Sequence, residues 1–309
     1  IAERLSSLLH KKVEKTQDCI GRKVMQAVQA LEPGGVLLLE NVRFHQEEMD
    51  NEEAFAQELA SLADIYVTEA FGAFHREHAS IVQLPKLLPA AAGLLVEQEI
   101  EVLLKVQEDP ERPFVVIVGG NKSDTKLSFI ESMTSLADSV LVGNALAARA
   151  IEQEMQFSAS EKIYWAFDGV PGASPGADIG IETRKVFGEK VKGAKTIFWT
   201  GPLGKVEEEQ YMQGSLEVVR MIVESGAYSV IGGGDLNAFV GSRGLRNQFS
   251  YASTGGSAAL AFLAMNSFKQ RINQLMSDKR SRHFSMISLI VFPPGPITSL
   301  IFSGSICNV

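Results

Sequence analysis

Four apolar runs of β-strand character in this chain each end in a glycine-rich turn. The turns are Gly119-Gly120-Asn121-Lys122, Thr200-Gly201-Pro202-Leu203-Gly204, Gly232-Gly233-Gly234-Asp235 and Ser253-Thr254-Gly255-Gly256. Glycine lets a backbone approach a phosphate closely, and a carboxylate such as Asp235 can hold a divalent metal ion. One such turn often only reverses the chain, but four of them predict a sheet edge that receives a phosphorylated ligand.

Two lysines, Lys122 and Lys126, lie four residues apart where the first of these strands passes into the next helix. If that helix begins near Asp124, both ammonium groups can point at one ligand beside the helix N-terminus. There they would bind nucleotide phosphates and neutralise charge that moves in a phosphoryl transfer. The alternative is a pair of solvated surface lysines.

Cationic residues follow two further strands in the first part of the chain. Arg43 lies just beyond the strand Val36–Glu40, where ligands bind in open α/β sheets, and its guanidinium matches phosphate or carboxylate. A structural salt bridge is the alternative for Arg43. His75, Arg76 and His78 follow the strand that ends at Val67, and they form either an anion site or a polar loop.

Two more features near the glycine turns have two interpretations each. Glu207, seven residues after Thr200, could accept hydrogen bonds from ribose hydroxyls, or it could be part of an acidic helix start. Ser253 or Thr254 could cap the helix that follows, and the free N–H groups there would also face a phosphoryl group. The two interpretations of this last turn are compatible.

The elements that must position these residues alternate between strand and helix. We predict strands over 36–40, 65–67, 114–118, 139–142, 195–199, 228–232 and 249–252. We predict helices over 2–11, 22–31, 51–63, 91–107, 126–136, 145–155, 181–191, 208–225, 236–242 and 256–265. This alternation indicates parallel sheets covered by helices, with a domain boundary near the long helix 91–107.

Composition narrows the class of protein. The chain has 309 residues, 45% of them hydrophobic, which suits two globular domains. A net charge of −8 argues against a protein that binds nucleic acid through its phosphates. The two cysteines, Cys19 and Cys307, are far apart, which fits a reducing cytosol, and they show no metal-ligand spacing. The apolar end, 284–309, is interrupted by prolines and is too broken to span a membrane.

The ordered set of motifs strongly resembles phosphoglycerate kinase. The motifs that carry the resemblance are Glu40-Asn41-Val42-Arg43-Phe44-His45, Ala70-Phe71-Gly72 with His75-Arg76 and His78, Gly119-Gly120-Asn121-Lys122, Trp199-Thr200-Gly201-Pro202, Gly232-Gly233-Gly234-Asp235 and Ser253-Thr254-Gly255-Gly256. The resemblance as a whole covers residues 1 to about 263. The resemblance implies two doubly wound, Rossmann-like parallel-sheet domains joined by a long helix, and phosphoryl transfer between 1,3-bisphosphoglycerate and ADP to give 3-phosphoglycerate and ATP, in glycolysis or carbon fixation.

The resemblance also implies roles for individual residues. Arg43, His75 and Arg76 would bind phosphoglycerate on the first domain. Lys122, Gly233 and Gly256 would act on the transferring phosphoryl group, and Asp235 would bind Mg²⁺. The residues implied to contact ADP or ATP are Gly120, Lys122, Lys126, Gly180, Gly201, Glu207, Gly233, Gly234 and Asp235.

The chain departs from the family pattern in several places. A leading strand with an Arg-x-Asp-x-Asn pattern and a His-Leu-Gly-Arg turn do not occur, so the first domain is expected to be incomplete. A glycine turn of the family reads Gly143-Asn144-Ala145 here, and Leu236 stands in place of a hydroxylated residue, so both are expected to intrude on the nucleotide site. Thr200 and Ser257 differ as well.

From these observations we expect four parts: a partial phosphoglycerate-binding domain (1–90), an interdomain helix (91–108), a nucleotide-binding domain (109–265) and a divergent tail (266–309). A monomer in the cytoplasm, or in a plastid, is expected, without nucleic-acid or membrane partners. The alternative to an active kinase is a catalytically inactive nucleotide- or phosphate-binding remnant of the family. A further catalytic arginine that the resemblance leads us to expect also does not occur, and its absence predicts negligible turnover for residues 1–309 alone.

Overall fold

A computed structural model of the protein describes residues 1–121, 123–174, 176–264 and 300–303. The chain folds as two compact units. Unit 1 contains Ile1–Glu97 together with the strand at 300–303, and unit 2 begins at Gln98. Both units combine helices with parallel strands, which confirms the predicted α/β class.

Unit 2 is built on one parallel sheet of six strands, β10-β9-β8-β5-β6-β7. Its strands are β5 (Phe114–Val118), β6 (Ser139–Val142), β7 (Ile163–Trp165), β8 (Thr196–Thr200), β9 (Tyr228–Gly232) and β10 (Tyr251–Ala252). From β5 the chain adds β6 and β7 on one side and then β8, β9 and β10 on the other. The carboxyl ends of β5 and β8 therefore flank a topological switch point, where open α/β sheets bind ligands.

Helices connect and cover these strands. They are the later part of α7 (Leu94–Glu108), then α8 (Asp124–Thr134), α9 (Asn144–Glu152), α10 (Ile181–Gly193), α11 (Gln213–Ser225), α12 (Gly234–Ser242) and α13 (Gly256–Ala264). Every residue of β5, β6 and β8 is buried, as expected for strands that are covered on both faces. Trp199 is fully buried in the core, and its indole N–H donates to the carbonyl of Gly201 at 2.9 Å.

Unit 1 carries two smaller parallel sheets, β1-β2 and β11-β3-β4. The strands are β1 (Val13–Lys15), β2 (Val36–Leu38), β3 (Ile65–Thr68), β4 (Ala90–Ala92) and β11 (Leu300–Ser303). The helices are α1 (Ala2–Leu9), α2 (Arg22–Gln29), α3 (Gln46–Met49), α4 (Glu53–Ala60), α5 (Ala79–Val82), α6 (Leu84–Leu87) and the start of α7. Its core is formed by Phe55, Leu59, Tyr66 and Leu84 with their apolar neighbours.

Several predicted elements differ from the structure. The predicted helix over 91–107 is wrong at its start, because Ala90–Ala92 is a strand and α7 begins only at Leu94. Three successive alanines favour a helix locally, but pairing with β3 overrides that preference. The predicted helix over 208–225 begins at Gln213, after a 3₁₀ turn at Glu209–Tyr211. The short strands β1 and β7 were not predicted.

The predicted tail, 266–309, lies outside the described residues except for β11. That strand runs parallel to β3, with Leu300 opposite Ile65 and Ser303 opposite Thr68. Within the part of the chain that the structure describes, no helix has the length and apolar character needed to cross a bilayer.

Candidate active site

The four glycine-rich turns meet at one edge of the unit 2 sheet. Gly119 follows β5, Gly201 follows β8, Gly233 follows β9, and Ser253 follows β10. Backbone hydrogen bonds extend the sheet into the turns: the Gly119 N–H donates to the Thr200 carbonyl at 2.8 Å, and the Gly120 N–H donates to the Pro202 carbonyl at 2.6 Å. The sequence prediction of a shared glycine-lined edge agrees with this arrangement.

Close backbone approach explains why glycine stands at this edge. A Cβ on Gly119 would overlap the Pro202 carbonyl oxygen, and one on Gly201 would overlap the Gly119 carbonyl oxygen. Gly201 also has a φ of +72°, which side chains other than glycine rarely adopt. The edge is therefore a tightly packed backbone surface in which only glycine fits at these positions.

Lys126 reaches across this surface from the first turn of α8. Its ammonium group donates to the Gly119 carbonyl at 2.7 Å and lies beside Gly120 and Gly201. Partial burial lowers the Lys126 pKa, and the nearby negative charge of Asp235 opposes that shift. Lys126 is thus not a freely solvated lysine: its ammonium is held at the glycine edge and in the field of a carboxylate.

Two helices, each nine residues long, begin at the same edge. Gly233 is the N-cap of α12 with a φ of +98°, and Asp235 is exposed in that helix's first turn. Helix α13 begins at Gly256, whose Cβ position would lie 3.6 Å from Gly233 Cα. The first N–H groups of a helix have no intrahelical partner, so these two adjacent N-termini suit an anionic ligand.

A buried carboxylate missed by sequence reasoning supports the last turn. Glu99 on α7 is fully buried, and its Oε1 accepts from the Thr254 N–H at 2.6 Å and from the Thr254 hydroxyl at 2.7 Å. In the sequence, Glu99 is one of several acidic residues of a long amphipathic helix, so the sequence does not indicate that this residue is buried. Asn237 adds a second support, since its amide donates to the Ser253 carbonyl at 2.7 Å.

Four other positions named from the sequence have the following surroundings. Gly180 is the N-cap of α10 and packs against the carboxylate of Asp168. Glu207 is exposed in the turn between β8 and α11. Ala145 contacts Gly176 at the start of α9. Leu236 is fully buried in the hydrophobic core of unit 2, so the expectation that its side chain intrudes on the ligand edge is wrong.

In unit 1, Arg43 lies in a 3₁₀ turn, Val42–Phe44, that follows β2. The Asn41 side chain caps this turn by accepting from the Arg43 N–H at 3.0 Å. The Arg43 side chain is exposed. The short capped turn thus fixes the backbone that presents the guanidinium.

His75, Arg76 and His78 follow β3, and His78 lies within electrostatic reach of Arg43. Burial lowers the pKa of His78, and the charges of Arg76 and Arg43 lower it further, whereas Glu48 raises it. Burial also lowers the pKa of His75, with Arg76 and His78 contributing in the same direction. Mutual repulsion among these cationic groups is what an anionic ligand would relieve.

Glu48 connects the two cationic segments. It is 1% exposed, and its carboxylate accepts from the Ser80 N–H at 2.9 Å and from the Ser80 hydroxyl at 2.6 Å. The His78 ring lies 3.8 Å from the same carboxylate. Glu48 lies on α3, shortly after Arg43, and Ser80 lies on α5, shortly after Arg76. Their buried contact therefore brings the segment of Arg43 and the segment of Arg76 together.

The predicted site residues therefore form two groups. In unit 2, Gly120, Lys126, Gly201, Gly233, Gly234, Asp235 and Gly256 gather at one sheet edge. In unit 1, Arg43, His75 and Arg76 gather beside Glu48 and His78. Lys122 lies outside the described residues.

A switch-point edge with glycine turns, a lysine, a carboxylate and helix N-termini is typical of doubly wound α/β proteins that bind phosphorylated ligands. Comparison with known proteins specifies the family. The family model described as phosphoglycerate kinase matches residues 1–155 and 148–266. The chain belongs to the phosphoglycerate kinase family, whose members are phosphotransferases.

Similar proteins agree with this assignment. A phosphoglycerate kinase of Moorella thermoacetica is 37% identical over 305 residues, which covers 85% of this chain and 77% of that protein. One from Chlorobium limicola is 38% identical over 307 residues, with the same shares. The solved phosphoglycerate kinase of Pyrococcus horikoshii aligns with a TM-score of 0.78 at 25% identity, covering 89% of this chain and 82% of that one. The Coxiella burnetii structure aligns with a TM-score of 0.70 at 28% identity, covering 88% and 80%.

Proposed function

We propose that this protein transfers a phosphoryl group between 1,3-bisphosphoglycerate and ADP, giving 3-phosphoglycerate and ATP. The observation that carries the proposal is the ammonium group of Lys126, held against the Gly119 carbonyl in the field of Asp235. A cation fixed between glycine turns and helix N-termini is suited to nucleotide phosphates.

The two units would divide the substrates between them. Unit 1 would bind phosphoglycerate through Arg43, His75 and Arg76, whose charges suit its phosphate and carboxylate groups. Unit 2 would bind the nucleotide through Lys126, Gly120, Gly180, Gly201, Glu207 and Gly234. The interdomain helix would be α7, with the nucleotide-binding domain after it.

Phosphoryl transfer of this kind needs positioning and charge neutralisation rather than a covalent protein intermediate. The Gly233 and Gly256 N–H groups at the starts of α12 and α13 would donate to oxygens of the transferring group. Lys122 would neutralise the charge that moves with that group. Lys126, whose ammonium lies beside Gly120 and Gly201, would keep the nucleotide phosphates against the edge.

The residues at this edge also fit a magnesium ion. Mg²⁺ is usually bound by one or two carboxylates together with substrate phosphates, and Asp235 offers an exposed carboxylate beside Lys126. Asp235 would hold the ion, which supplies charge neutralisation on the nucleotide phosphates when bound.

A coupled assay of ATP formation from 1,3-bisphosphoglycerate and Mg-ADP tests the proposal directly. Lys126→Ala should raise the KM for ADP, and Arg76→Ala should raise the KM for the bisphosphoglycerate. Lys192→Ala on α10 is a matched control that should change neither. ATP formation at the background rate by the unsubstituted protein would refute the proposed kinase activity and would agree with the negligible turnover that the absent arginine predicts.

One observation favours the alternative, nucleotide or phosphate binding without turnover. The strands that precede Arg43 and His75 belong to different sheets, β1-β2 and β11-β3-β4, whereas the nucleotide edge is carried by one continuous sheet. Calorimetric titration with Mg-ADP separates the two functions. Binding that depends on Lys126 without ATP formation would support the alternative, and absence of binding at millimolar ADP would refute both.

The reaction would serve glycolysis or carbon fixation, and the protein would act as a monomer in the cytoplasm or in a plastid. A buried free thiol at Cys19 is compatible with a reducing compartment. Light scattering of the purified protein tests the monomeric state, and cell fractionation tests the compartment. A dimer, or recovery with an organelle other than a plastid, would contradict these expectations.

A further inference from the structure

Three metal-ligand side chains meet in unit 1, outside the cationic group described above. Asp18 and Cys19 follow β1, and His45 ends the 3₁₀ turn after β2. One ligand atom from each residue, a carboxylate oxygen, a thiol sulfur and a ring nitrogen, lies within 4.8 Å of the other two. Because Asp18 and His45 are 27 residues apart, no metal-binding spacing is visible in the sequence.

The contacts of the three side chains suit a cation that enters from one side. His45 Nε2 lies 2.7 Å from Asp18 Oδ1, which also accepts from the Cys19 N–H at 2.7 Å. The Cys19 side chain is fully buried, whereas the Asp18 side chain is 54% exposed and that of His45 is 25% exposed. Two light-atom ligands of tetrahedral zinc stand about 3.3 Å apart, so the His45–Asp18 pair would need to open by only about 0.6 Å.

The surrounding charge also favours a divalent cation. The carboxylates of Asp18, Glu48 and Glu40 place a negative field on the Cys19 side chain. An ordinary cysteine thiol is mostly protonated at neutral pH. A divalent ion would offset the negative field, and coordinating thiols deprotonate on metal binding.

We propose that Asp18, Cys19 and His45 form a binding site for a thiophilic divalent cation of the Zn²⁺ class. Carboxylate, thiolate and imidazole are its usual protein ligands, and water from the exposed side would complete a tetrahedral set. On binding, the Cys19 S–H bond breaks, the sulfur–metal bond forms and the proton leaves to solvent. The ion would also hold His45 in place, and with it the end of the turn that carries Arg43.

Cobalt(II) titration of the protein (residues 1–309) tests this site, because a cobalt–thiolate bond gives an intense near-ultraviolet charge-transfer band. We expect this band in the unsubstituted protein and in Cys307→Ser, and we expect its loss in Cys19→Ser. His45→Gln should weaken cobalt binding by more than about tenfold, since even outer-shell partners of metal ligands are worth that much. His10→Gln, at an exposed histidine, is the matched control and should bind as the unsubstituted protein does.

Two measurements on the unsubstituted protein keep the test independent of whether Cys19→Ser folds. Zn²⁺ binding at pH 7 should release about one proton, from the Cys19 thiol. Zn²⁺ should also slow hydrogen exchange of the amides over 41–45. Absence of the cobalt band, a band that survives in Cys19→Ser, or binding without proton release would each overturn the proposal.

Discussion

The two units position their predicted ligand-binding loops in different ways. In unit 2, neighbouring parallel strands of one sheet deliver all four glycine turns to the same edge. In unit 1, the two cationic segments follow strands of two separate sheets, and the buried Glu48–Ser80 contact joins them. The glycine edge of unit 2 is therefore assembled by backbone pairing, whereas the cationic group of unit 1 depends on side-chain contacts.

The largest expected effect is on the backbone packing of unit 2. Gly119→Ala should destabilise this unit by about 2–4 kcal/mol, because the new Cβ would overlap the Pro202 carbonyl in a region that cannot shift freely. Gly241→Ala in α12 is the matched control, since open space surrounds that position, and it should stabilise by about 0.5–1 kcal/mol. Calorimetric unfolding of both variants measures these changes in the free energy of unfolding. Equal stability of the two would show that the edge is not tightly packed.

The next effect concerns the side chain that supports this edge. Glu99→Ala should destabilise unit 2 by about 2–3 kcal/mol, because it leaves the Thr254 N–H and hydroxyl without their acceptor. Glu99→Gln retains an acceptor oxygen and should cost less. Denaturant titration of the two variants compares them. If glutamine costs as much as alanine, the negative charge rather than the hydrogen bonding is what matters at this position.

A third prediction tests the sheet edge of unit 1. Alternate N–H groups of a strand face opposite sides, and among the described residues β11 pairs only with β3. Proline should therefore remove a paired N–H in only one of the two variants Ile301→Pro and Phe302→Pro. That variant should lose about 1–3 kcal/mol of unfolding free energy and aggregate on heating, whereas the other should be tolerated. Thermal unfolding with light scattering distinguishes them. Equal behaviour of both variants would argue against the β11–β3 pairing.

The smallest expected effect is a pH dependence of unit 1. The pKa values of His75 and His78 are lowered in the folded protein, so the unfolded chain binds more protons as the pH falls. Their contribution to stability is complete above about pH 6.5 and is lost as the pH falls through the lowered values. Between pH 7.5 and 5.5 the free energy of unfolding should therefore decrease. His75→Gln should make the free energy of unfolding less dependent on pH. An unchanged pH dependence in this variant would contradict the contribution assigned to His75.

Local patterns in the sequence were sufficient for much of unit 2. The bounds of β5, β6 and β9 agree with the prediction, because continuous apolar runs that end in glycine are typical of buried parallel strands. The order of the glycine and arginine motifs was also sufficient to identify the family. Short strands such as Ala90–Ala92 could not be predicted, since their conformation depends on a partner strand rather than on their own residues.

The sequence alone was sufficient to predict the α/β alternation, the glycine turns at the strand ends, and Lys126 and Asp235 as candidate ligand groups. Only the tertiary structure decided that Leu236 points into the core, that Glu99 supports Thr254, that Glu48 joins the two cationic segments, and that Asp18 and Cys19 meet His45. The physical reason is that turns and periodicity are properties of neighbouring residues. Burial and side-chain partners are set by packing between segments that are distant along the chain.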